Sequence, residues 1–313
     1  MTEDNGEKDV LQVIKNDNKG TQHGNVNYRE ADIVKFEINK LLDKNKINFG
    51  VISPFNAQVK EIRKNLNKYK ENVDTVHKFQ GREKDCIILT TVIGLSTESD
   101  KKCDFVNAPY LLNVAISRAK NSLILVTTDG KITKNTIIGD LLDYITYNDK
   151  NAIKGSPVHS IFDLLAKEKR NELSKYLKQH KKVSNVISEN LMYSIIEEIK
   201  LEKEMPFLEI AIHYPFKMLL RDYEKLKMLG NRYYEYATNS WTHVDFLLYN
   251  SLSHKPLLVV EVDGFSYHHE NSLQKQRDKM KNEILELYGI PYIRFSTMGS
   301  QEKEKLTQLL KTV

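Results

Sequence analysis

The segment 255–264, KPLLVVEVDG, runs an apolar strand pattern directly into two carboxylates, and it constrains the chain more than any other feature. On a strand, Glu261 and Asp263 point to one face because successive side chains alternate. Burying unpaired carboxylates is unfavourable, and a divalent cation removes that penalty. Asp245 stands one hairpin upstream and can converge on the same ion. The pattern therefore predicts a Mg²⁺ or Mn²⁺ site suited to phosphodiester hydrolysis.

Length and composition allow two domains, since the chain has 313 residues and an apolar fraction of 40%. The formal net charge of +5 is too small to identify a nucleic-acid partner by itself. A basic stretch between Leu164 and Val183 is more informative. It is typical either of a helix face that tracks phosphates or of an ordinary solvated face, and both interpretations stay open.

The two cysteines, Cys86 and Cys103, have neither metal-ligand nor redox spacing. The first residues are polar and acidic, which is not the pattern of a secretion signal. No apolar run approaches the length of a membrane span. These features predict a reducing, cytoplasmic location and no membrane partner.

Periodicity divides the chain into four segments. Residues 1–24 are polar and rich in Gly and Asn, so we expect a flexible lead-in. Residues 25–150 alternate strand and helix patterns, which predicts a parallel sheet covered on both faces. Residues 151–185 are interpreted as a basic helical linker. Residues 186–313 predict a second α/β domain, opened by a helix with Ser188 as its N-cap.

Three blocks in the first of these domains occur in a fixed order: 50–58 (GVISPFNAQ), 74–85 (DTVHKFQGREKD) and 112–120 (LNVAISRAK). In order and spacing they resemble motifs IV, V and VI of superfamily 1 helicases, in the branch that includes the nonsense-mediated-decay helicase. The resemblance implies the second RecA-like lobe of such a motor, with ATP and nucleic acid as ligands.

The same resemblance implies roles for individual residues, and Arg118 would be the cation that approaches the transferring phosphoryl group. The residues implied to line the nucleotide cleft are Gln80, Gly81, Glu83 and Arg118. Those implied to face the nucleic-acid backbone are Ser53, Thr75 and His77. Taken singly, each of these side chains also has an ordinary structural use, such as a salt bridge for Arg118.

The chain contains no Gly-x-x-x-x-Gly-Lys-Ser/Thr phosphate loop. We therefore expect no ATP hydrolysis by this chain alone. ATP is an expected cofactor only when a first RecA-like lobe, in the same polypeptide or in a partner, completes the site.

The blocks 243–246 (HVDF), 260–264 (VEVDG), 268–269 (HH), 276–278 (QRD) and 289–294 (GIPYIR) resemble the PD-(D/E)xK nuclease superfamily, in its very-short-patch-repair-like branch. The resemblance implies a restriction-endonuclease-like α/β domain and a Mg²⁺-dependent deoxyribonuclease. DNA is the expected partner, with RNA as the alternative. The implied metal ligands are Asp245, Glu261 and Asp263.

The sequence departs from the superfamily at one position, because Asp263 stands where the catalytic Lys is usual. A cation is still needed near the developing charge. Arg277 and Lys281, four residues apart on one predicted helix, are candidates to supply it, and His268 is a candidate proton carrier. The alternative is a catalytically silent module, in which these acids form salt bridges and the chain only binds nucleic acid or docks a partner.

Overall fold

The computed structural model of the chain describes residues 10–16, 22–45, 48–64, 66, 68–93, 100–128, 136–166, 169–220, 222–264 and 272–312. The chain folds into two compact units, Met1–His159 and Ser160–Val313. Within the described ranges, no helix is both long and apolar enough to cross a membrane.

The first unit is built on parallel strands. The strands are β1 (Val10–Asn16), β2 (Gln22–His23), β3 (Val26–Asn27), β4 (Phe49–Ser53), β5 (Val73–Thr75), β6 (Lys84–Thr90), β7 (Ala119–Thr128) and β8 (Ile153–Lys154). β2 and β3 form a short antiparallel ribbon, and the other six form one sheet in the order β5-β4-β6-β7-β1-β8. Every pair in that sheet is parallel, as the alternating pattern predicts.

Helices cover both faces of this sheet. They are α1 (Tyr28–Asp43), α2 (Asn56–Arg63), α3 (Asp100–Val106), α4 (Pro109–Ser117) and α5 (Ile137–Asn148), with 3-10 turns at Lys70–Asn72, His77–Phe79 and Lys150–Ala152. Along β6, Cys86 and Ile88 join one apolar core while Ile87 and Leu89 join the other. A strand with two buried faces is apolar at consecutive positions, so this sequence forms a central strand.

The structure corrects the expectation of a flexible lead-in over residues 1–24. Val10–Asn16 form β1, which lies inside the sheet between β7 and β8. Ile14 pairs in register with Val126 and is only 2% exposed. Polar residues flank this short run, so its local sequence does not stand out as a strand. Its pairing partner, β7, lies more than 100 residues away along the chain, and only that pairing places the run in the sheet.

The second unit combines a four-stranded sheet with helices. Its elements are a 3-10 turn (Ile161–Leu165), α6 (Arg170–Gln179), α7 (Ile187–Glu202), β9 (Leu208–Pro215), α8 (Phe216–Leu219), α9 (Glu224–Lys227), α10 (Asn231–Thr238), β10 (His243–Asn250), β11 (Pro256–Asp263), α12 (Ser272–Leu287), β12 (Tyr292–Ser296) and α13 (Glu302–Leu310). The strand order is β12-β11-β10-β9. β9, β10 and β11 are antiparallel neighbours, whereas β12 runs parallel to β11 after the crossover through α12.

The segment 151–185 is not a free linker in the structure. Ile153–Lys154 belong to the sheet of the first unit, and the division between the units falls at 159/160 rather than near residue 150. Phe162 is buried in the core of the second unit, and Leu173 and Leu177 of α6 pack against that core. The apolar side of the basic helix explains this attachment, since its exclusion from water outweighs the polar composition around it.

Candidate functional site

The register of β10 and β11 brings two predicted site residues together. Phe246 pairs with Val260, so Asp245 stands directly opposite Glu261 on neighbouring antiparallel strands. The backbone N–H of Asp245 donates to Glu261 Oε1 at 3.3 Å, and that of Val262 donates to Asp245 Oδ2 at 2.8 Å. Each carboxylate is thereby held in place by a backbone N–H of the neighbouring strand.

Two cations accompany these acids. Lys281 of α12 places Nζ 2.6 Å from Glu261 Oε2 and also donates to the backbone carbonyl of His243 at 2.9 Å. Arg294 of β12 lies 3.7 Å from the same Glu261 oxygen and binds Asp263 Oδ1 at 2.8 Å. The penalty of burying Glu261 is thus offset by protein cations, in addition to any metal ion that binds there.

Burial dominates the acid–base behaviour of the pair. Burial raises the pKa of the Glu261 carboxyl, Lys281 acts in the lowering direction, and the charge of Asp245 raises it further. Burial also raises the pKa of Asp245, against the lowering effects of the Val262 N–H and Lys281, and Glu189 adds to the rise. Two desolvated acids that repel each other in this way favour a neighbouring cation.

The acids line a cleft of about 610 Å³ in the second unit. The charged side chains that line it are Glu189, Asp245, Glu261, Asp263, Arg277, Asp278 and Lys281. In the described part of the chain, no three acidic, histidine or cysteine side chains cluster closely enough to hold a metal ion by themselves. The available donors are the Asp245 and Glu261 carboxylates, which fit a cation such as Mg²⁺ that keeps most of its waters.

A further acid, Glu189, is positioned by the start of α7. The side chain of Asn190 accepts a hydrogen bond from the backbone N–H of Ser184 at 3.0 Å and donates to the Val186 carbonyl at 2.9 Å. The expected N-cap at Ser188 was wrong, because the capping position is Val186, whose side chain makes no cap hydrogen bond. Asn190 fixes the chain that enters the helix instead.

Glu189 is hydrogen-bonded to a histidine on the edge strand. His213 Nε2 of β9 lies 2.7 Å from Glu189 Oε2. The His213 ring contacts His243 edge-on, with centroids 5.0 Å apart and an interplanar angle of 63°. Sequence reasoning assigned no role to His213 or Arg294, because their partners are distant in the chain and the strand register has to be known first.

The other predicted residues of this site have different outcomes. Asp263 Oδ1 accepts a hydrogen bond from Arg294 Nη1 at 2.8 Å, and its role as a metal ligand stays a prediction. Arg277 and Lys281 both line the cleft, as expected from their spacing on α12, but only Lys281 forms an ion pair with Glu261. His268 lies in the segment 265–271, outside the described residues.

In the first unit, the residues assigned to the nucleic-acid backbone lie at the carboxyl ends of strands. Ser53 ends β4 and pairs in register with Thr75, which ends β5. His77 follows and is exposed. Ser53, however, is fully buried, and its Oγ accepts a hydrogen bond from the Phe55 N–H at 3.3 Å. Its hydroxyl therefore does not reach the surface, unlike the exposed position that a contact with the nucleic-acid backbone requires.

The residues assigned to the nucleotide lie at the opposite strand ends. Glu83 immediately precedes β6 and Arg118 immediately precedes β7, and the Lys84 N–H donates to the Arg118 carbonyl at 3.0 Å. Arg118 Nη2 donates to Ser117 Oγ at 3.1 Å. Gly81 has a φ of +80°, a conformation that favours glycine, and like Gln80 it is exposed. Because the strands of the sheet run parallel, Glu83 and Arg118 lie at the opposite edge of the sheet from Ser53 and Thr75. The residues predicted to contact the nucleotide are thus separated from those predicted to contact nucleic acid.

A buried acid supports this lobe. Glu30 of α1 accepts hydrogen bonds from the Thr90 hydroxyl at 2.5 Å, the Val92 N–H at 2.7 Å and the Thr128 hydroxyl at 3.3 Å. Burial raises the pKa of Glu30 to about 7, and these donors act in the lowering direction. The network ties the start of α1 to the carboxyl ends of β6 and β7.

Two family models match separate parts of the chain. Residues 8–130 match a family described as an AAA domain, and residues 226–313 match a family described as a protein of unknown function (DUF2726). The first unit is therefore related to the C-terminal lobe of superfamily 1 helicases, which confirms the sequence-based resemblance at that level.

Three relatives illustrate the likeness. An uncharacterised ATP-dependent helicase of Methanocaldococcus jannaschii is 33% identical over 120 residues, which is 38% of this chain and 17% of the relative. The DNA replication ATP-dependent helicase/nuclease dna2 of Schizosaccharomyces pombe is 29% identical over 125 residues, covering 39% and 9%. The DNA-binding protein SMUBP-2 of Mesocricetus auratus is 32% identical over 123 residues, covering 37% and 12%. The chain thus spans less than a fifth of each relative.

Proposed function

We propose that the second unit is a metal-dependent nuclease and that the first unit is the second motor lobe of a superfamily 1 helicase. The observation that carries the nuclease proposal is the convergence of Asp245, Glu261 and Lys281 on one cleft. A carboxylate pair with an adjacent lysine combines a cation site with a charge that can offset a phosphate under attack.

The order of elements supports the same proposal. A helix (α7), three antiparallel strands (β9, β10, β11), a crossover helix (α12) and a parallel strand (β12) follow one another in the second unit. This order fits a PD-(D/E)xK domain, in which the two acids come from adjacent strands. Asp263 stands in place of the usual Lys of the motif, and α12 supplies Lys281, which pairs with Glu261.

In this proposal Asp245 and Glu261 would hold Mg²⁺ or Mn²⁺, which when bound supplies positive charge and lowers the pKa of water. Lys281 offsets negative charge on the phosphate, since its ammonium already lies beside Glu261. Arg294 offsets the negative charge of Asp263, so Asp245 and Glu261 would be the carboxylates that bind the ion. The Val262 N–H orients the Asp245 carboxylate.

The test is cleavage by the purified chain. Plasmid, single-stranded and flapped DNA, with a matched RNA, are incubated with Mg²⁺ or Mn²⁺ and with EDTA. We expect metal-dependent scission of DNA and a loss of about 100-fold or more in Glu261→Gln. The control Glu304→Gln removes an exposed acid from α13 and should cleave as the natural chain does. Equal cleavage by Glu261→Gln would refute the assignment.

A second candidate function has its own supporting observation. Lys281 and Arg294 already compensate Glu261, as they would in a module that binds nucleic acid without cutting it. This alternative predicts DNA or RNA binding by the natural chain with no scission in either metal. It also predicts that Glu261→Gln leaves the dissociation constant unchanged.

For the first unit, we infer that His77 and Thr75 contact the nucleic-acid backbone, while Arg118 faces a nucleotide held by a separate first lobe. Fluorescence anisotropy with single-stranded DNA and RNA should show weaker binding for His77→Ala. The control His159→Ala changes another exposed histidine of the same unit and should not alter binding. A phosphate-release assay of the chain alone should show no ATP turnover, and measurable turnover would contradict the requirement for a first lobe.

A further inference from the structure

His213 has an unusual backbone for its position. Its φ is +49°, in the left-handed region that non-glycine residues rarely adopt, although it lies inside strand β9. The other described non-glycine residues with positive φ lie at helix ends, turns or strand ends rather than within a strand. Strain of this kind persists where the surroundings hold it, and it concentrates at functional sites.

The strained residue contacts one acid of the cleft, Glu189. Tyr214 pairs with Val244 and Ile212 with Phe246, so His213 stands across from Asp245 in an otherwise continuous register. The charged and titratable groups around it are Glu189 of α7, at 2.7 Å, and His243 and Asp245 of β10. Its surroundings therefore link the edge strand to the proposed reaction centre.

Glu189 connects His213 to that centre. It lines the same cleft as Asp245 and Glu261, and it is buried. Within this cleft, the negative charge of Glu189 contributes to the raised pKa of Asp245. One oxygen of Glu189 is held by His213, which leaves the carboxylate with a defined orientation toward the cleft.

We propose that His213 is a positioning residue for the phosphodiester cleavage, holding Glu189 so that this carboxylate accepts a proton from the attacking water. The inference rests on the proposed nuclease function. The water oxygen forms a bond to phosphorus, its proton passes to Glu189, and the P–O bond to the leaving oxygen breaks. The leaving oxygen takes a proton from a second water molecule, and the proton held by Glu189 neutralises the hydroxide that this leaves, so that atoms and charge balance and the Glu189 carboxylate is regenerated.

The competing explanation is structural, with the pair serving only to attach β9 to α7. Asn distinguishes the two, because Asn tolerates the left-handed region but its shorter side chain does not place a donor where His213 Nε2 lies. Under our proposal, His213→Asn keeps or raises the thermal midpoint, binds DNA and Mn²⁺ within about two-fold of the natural chain, and loses at least about ten-fold in kcat. A structural role would lower the midpoint and leave kcat intact.

The chain offers a matched control in His254, which also has a positive φ, +52°, but lies in the turn between β10 and β11. His254→Asn relieves the same kind of strain and should leave kcat unchanged. His213→Gln, whose amide nitrogen can stand near the place of Nε2, should recover most of the activity that Asn loses. Glu189→Gln should lose activity as His213→Asn does, and the double variant should lose no more than either alone.

The outcomes separate the two proposals. If the natural chain cleaves DNA and His213→Asn cleaves equally well, the role of His213 is overturned while the nuclease stands. Additive losses in the double variant would also overturn it, because the two residues would then act independently. If the natural chain binds no Mn²⁺ and cleaves no substrate, the nuclease proposal falls, and the role of His213 falls with it.

Discussion

Lys281 is the residue whose removal most directly tests how the acids of the second unit are compensated. Its Nζ lies 2.6 Å from Glu261 Oε2, and the two residues are 8% and 4% exposed. Lys281→Met keeps the length and apolar stem of the side chain while removing the charge. The buried carboxylate then loses its nearest cation.

The magnitude follows from the surroundings of Glu261. Breaking a buried ion pair by removing one partner typically destabilises a protein by about 3–5 kcal/mol. Arg294, 3.7 Å from the same oxygen, remains and reduces the loss. We therefore expect the second unit to lose about 3 kcal/mol of unfolding free energy at pH 8, near the lower end of that range.

The loss should depend on pH, with a defined sign. Burial already raises the pKa of Glu261, and Lys281 opposes that rise, so the variant has a still higher folded-state pKa. Between the unfolded and folded pKa values, the folded variant binds more protons than the unfolded chain, and its stability falls as pH rises. At pH 5 a larger share of Glu261 is protonated, and the destabilisation should be smaller than at pH 8.

Urea denaturation of the whole chain, monitored by the exchange of backbone amide hydrogens in β10 and β11, measures this unfolding free energy for the second unit. Lys279→Met is the matched control, because it removes a lysine from an exposed ion pair on the same helix. The Lys279 side chain is 75% exposed, and its Nζ lies 3.5 Å from Glu283 Oε1. It should change stability by no more than about 0.5 kcal/mol. Adding Glu261→Gln to Lys281→Met should restore part of the loss. A destabilisation under about 1 kcal/mol, or one equal at both pH values, would refute the reasoning.

Three further perturbations concern the first unit. Because the folded pKa of Glu30 is about 7 against an ordinary 4.5, stability should fall by about 3 kcal/mol as pH rises through that window, and urea titrations of Glu30→Gln should lack this fall. Gly50→Ala should lower stability by about 1–3 kcal/mol, since the new Cβ would stand 2.5 Å from the Phe79 ring; an unchanged thermal midpoint would contradict this packing. Thr136→Ala should lower stability by about 1 kcal/mol in the same assay, because the Thr136 hydroxyl caps α5 by accepting from the Gly139 N–H at 3.0 Å.

Local patterns predicted the elements around the motifs well. The apolar start of the block 50–58 and the strand pattern ending at Asp263 appear in the structure within β4 (Phe49–Ser53) and β11 (Pro256–Asp263). These segments are read correctly because alternation and continuous burial are properties of neighbouring residues. The relation of the first unit to superfamily 1 helicases was also readable, since ordered motifs carry that signal without any structure.

The failures share one physical cause. Val10–Asn16 looked like part of a polar lead-in, yet they form an inner strand because β7, far along the chain, offers a matching edge. The basic segment after Ser160 looked like a linker, yet Leu173 packs on the core of the second unit. Non-local pairing and burial decide such cases, and they overrule local composition.

The amino-acid sequence by itself determined which residues stand beside one another along each strand, and so it identified Asp245 and Glu261 as acids at the ends of apolar runs. Only the tertiary structure decided their partners. Lys281 reaches Glu261 from a helix, Arg294 engages Asp263 from the next strand, and His213 holds Glu189 across two elements. The reason is that a charge pair depends on strand register and helix placement, which arise from packing of the whole unit rather than from spacing in the chain.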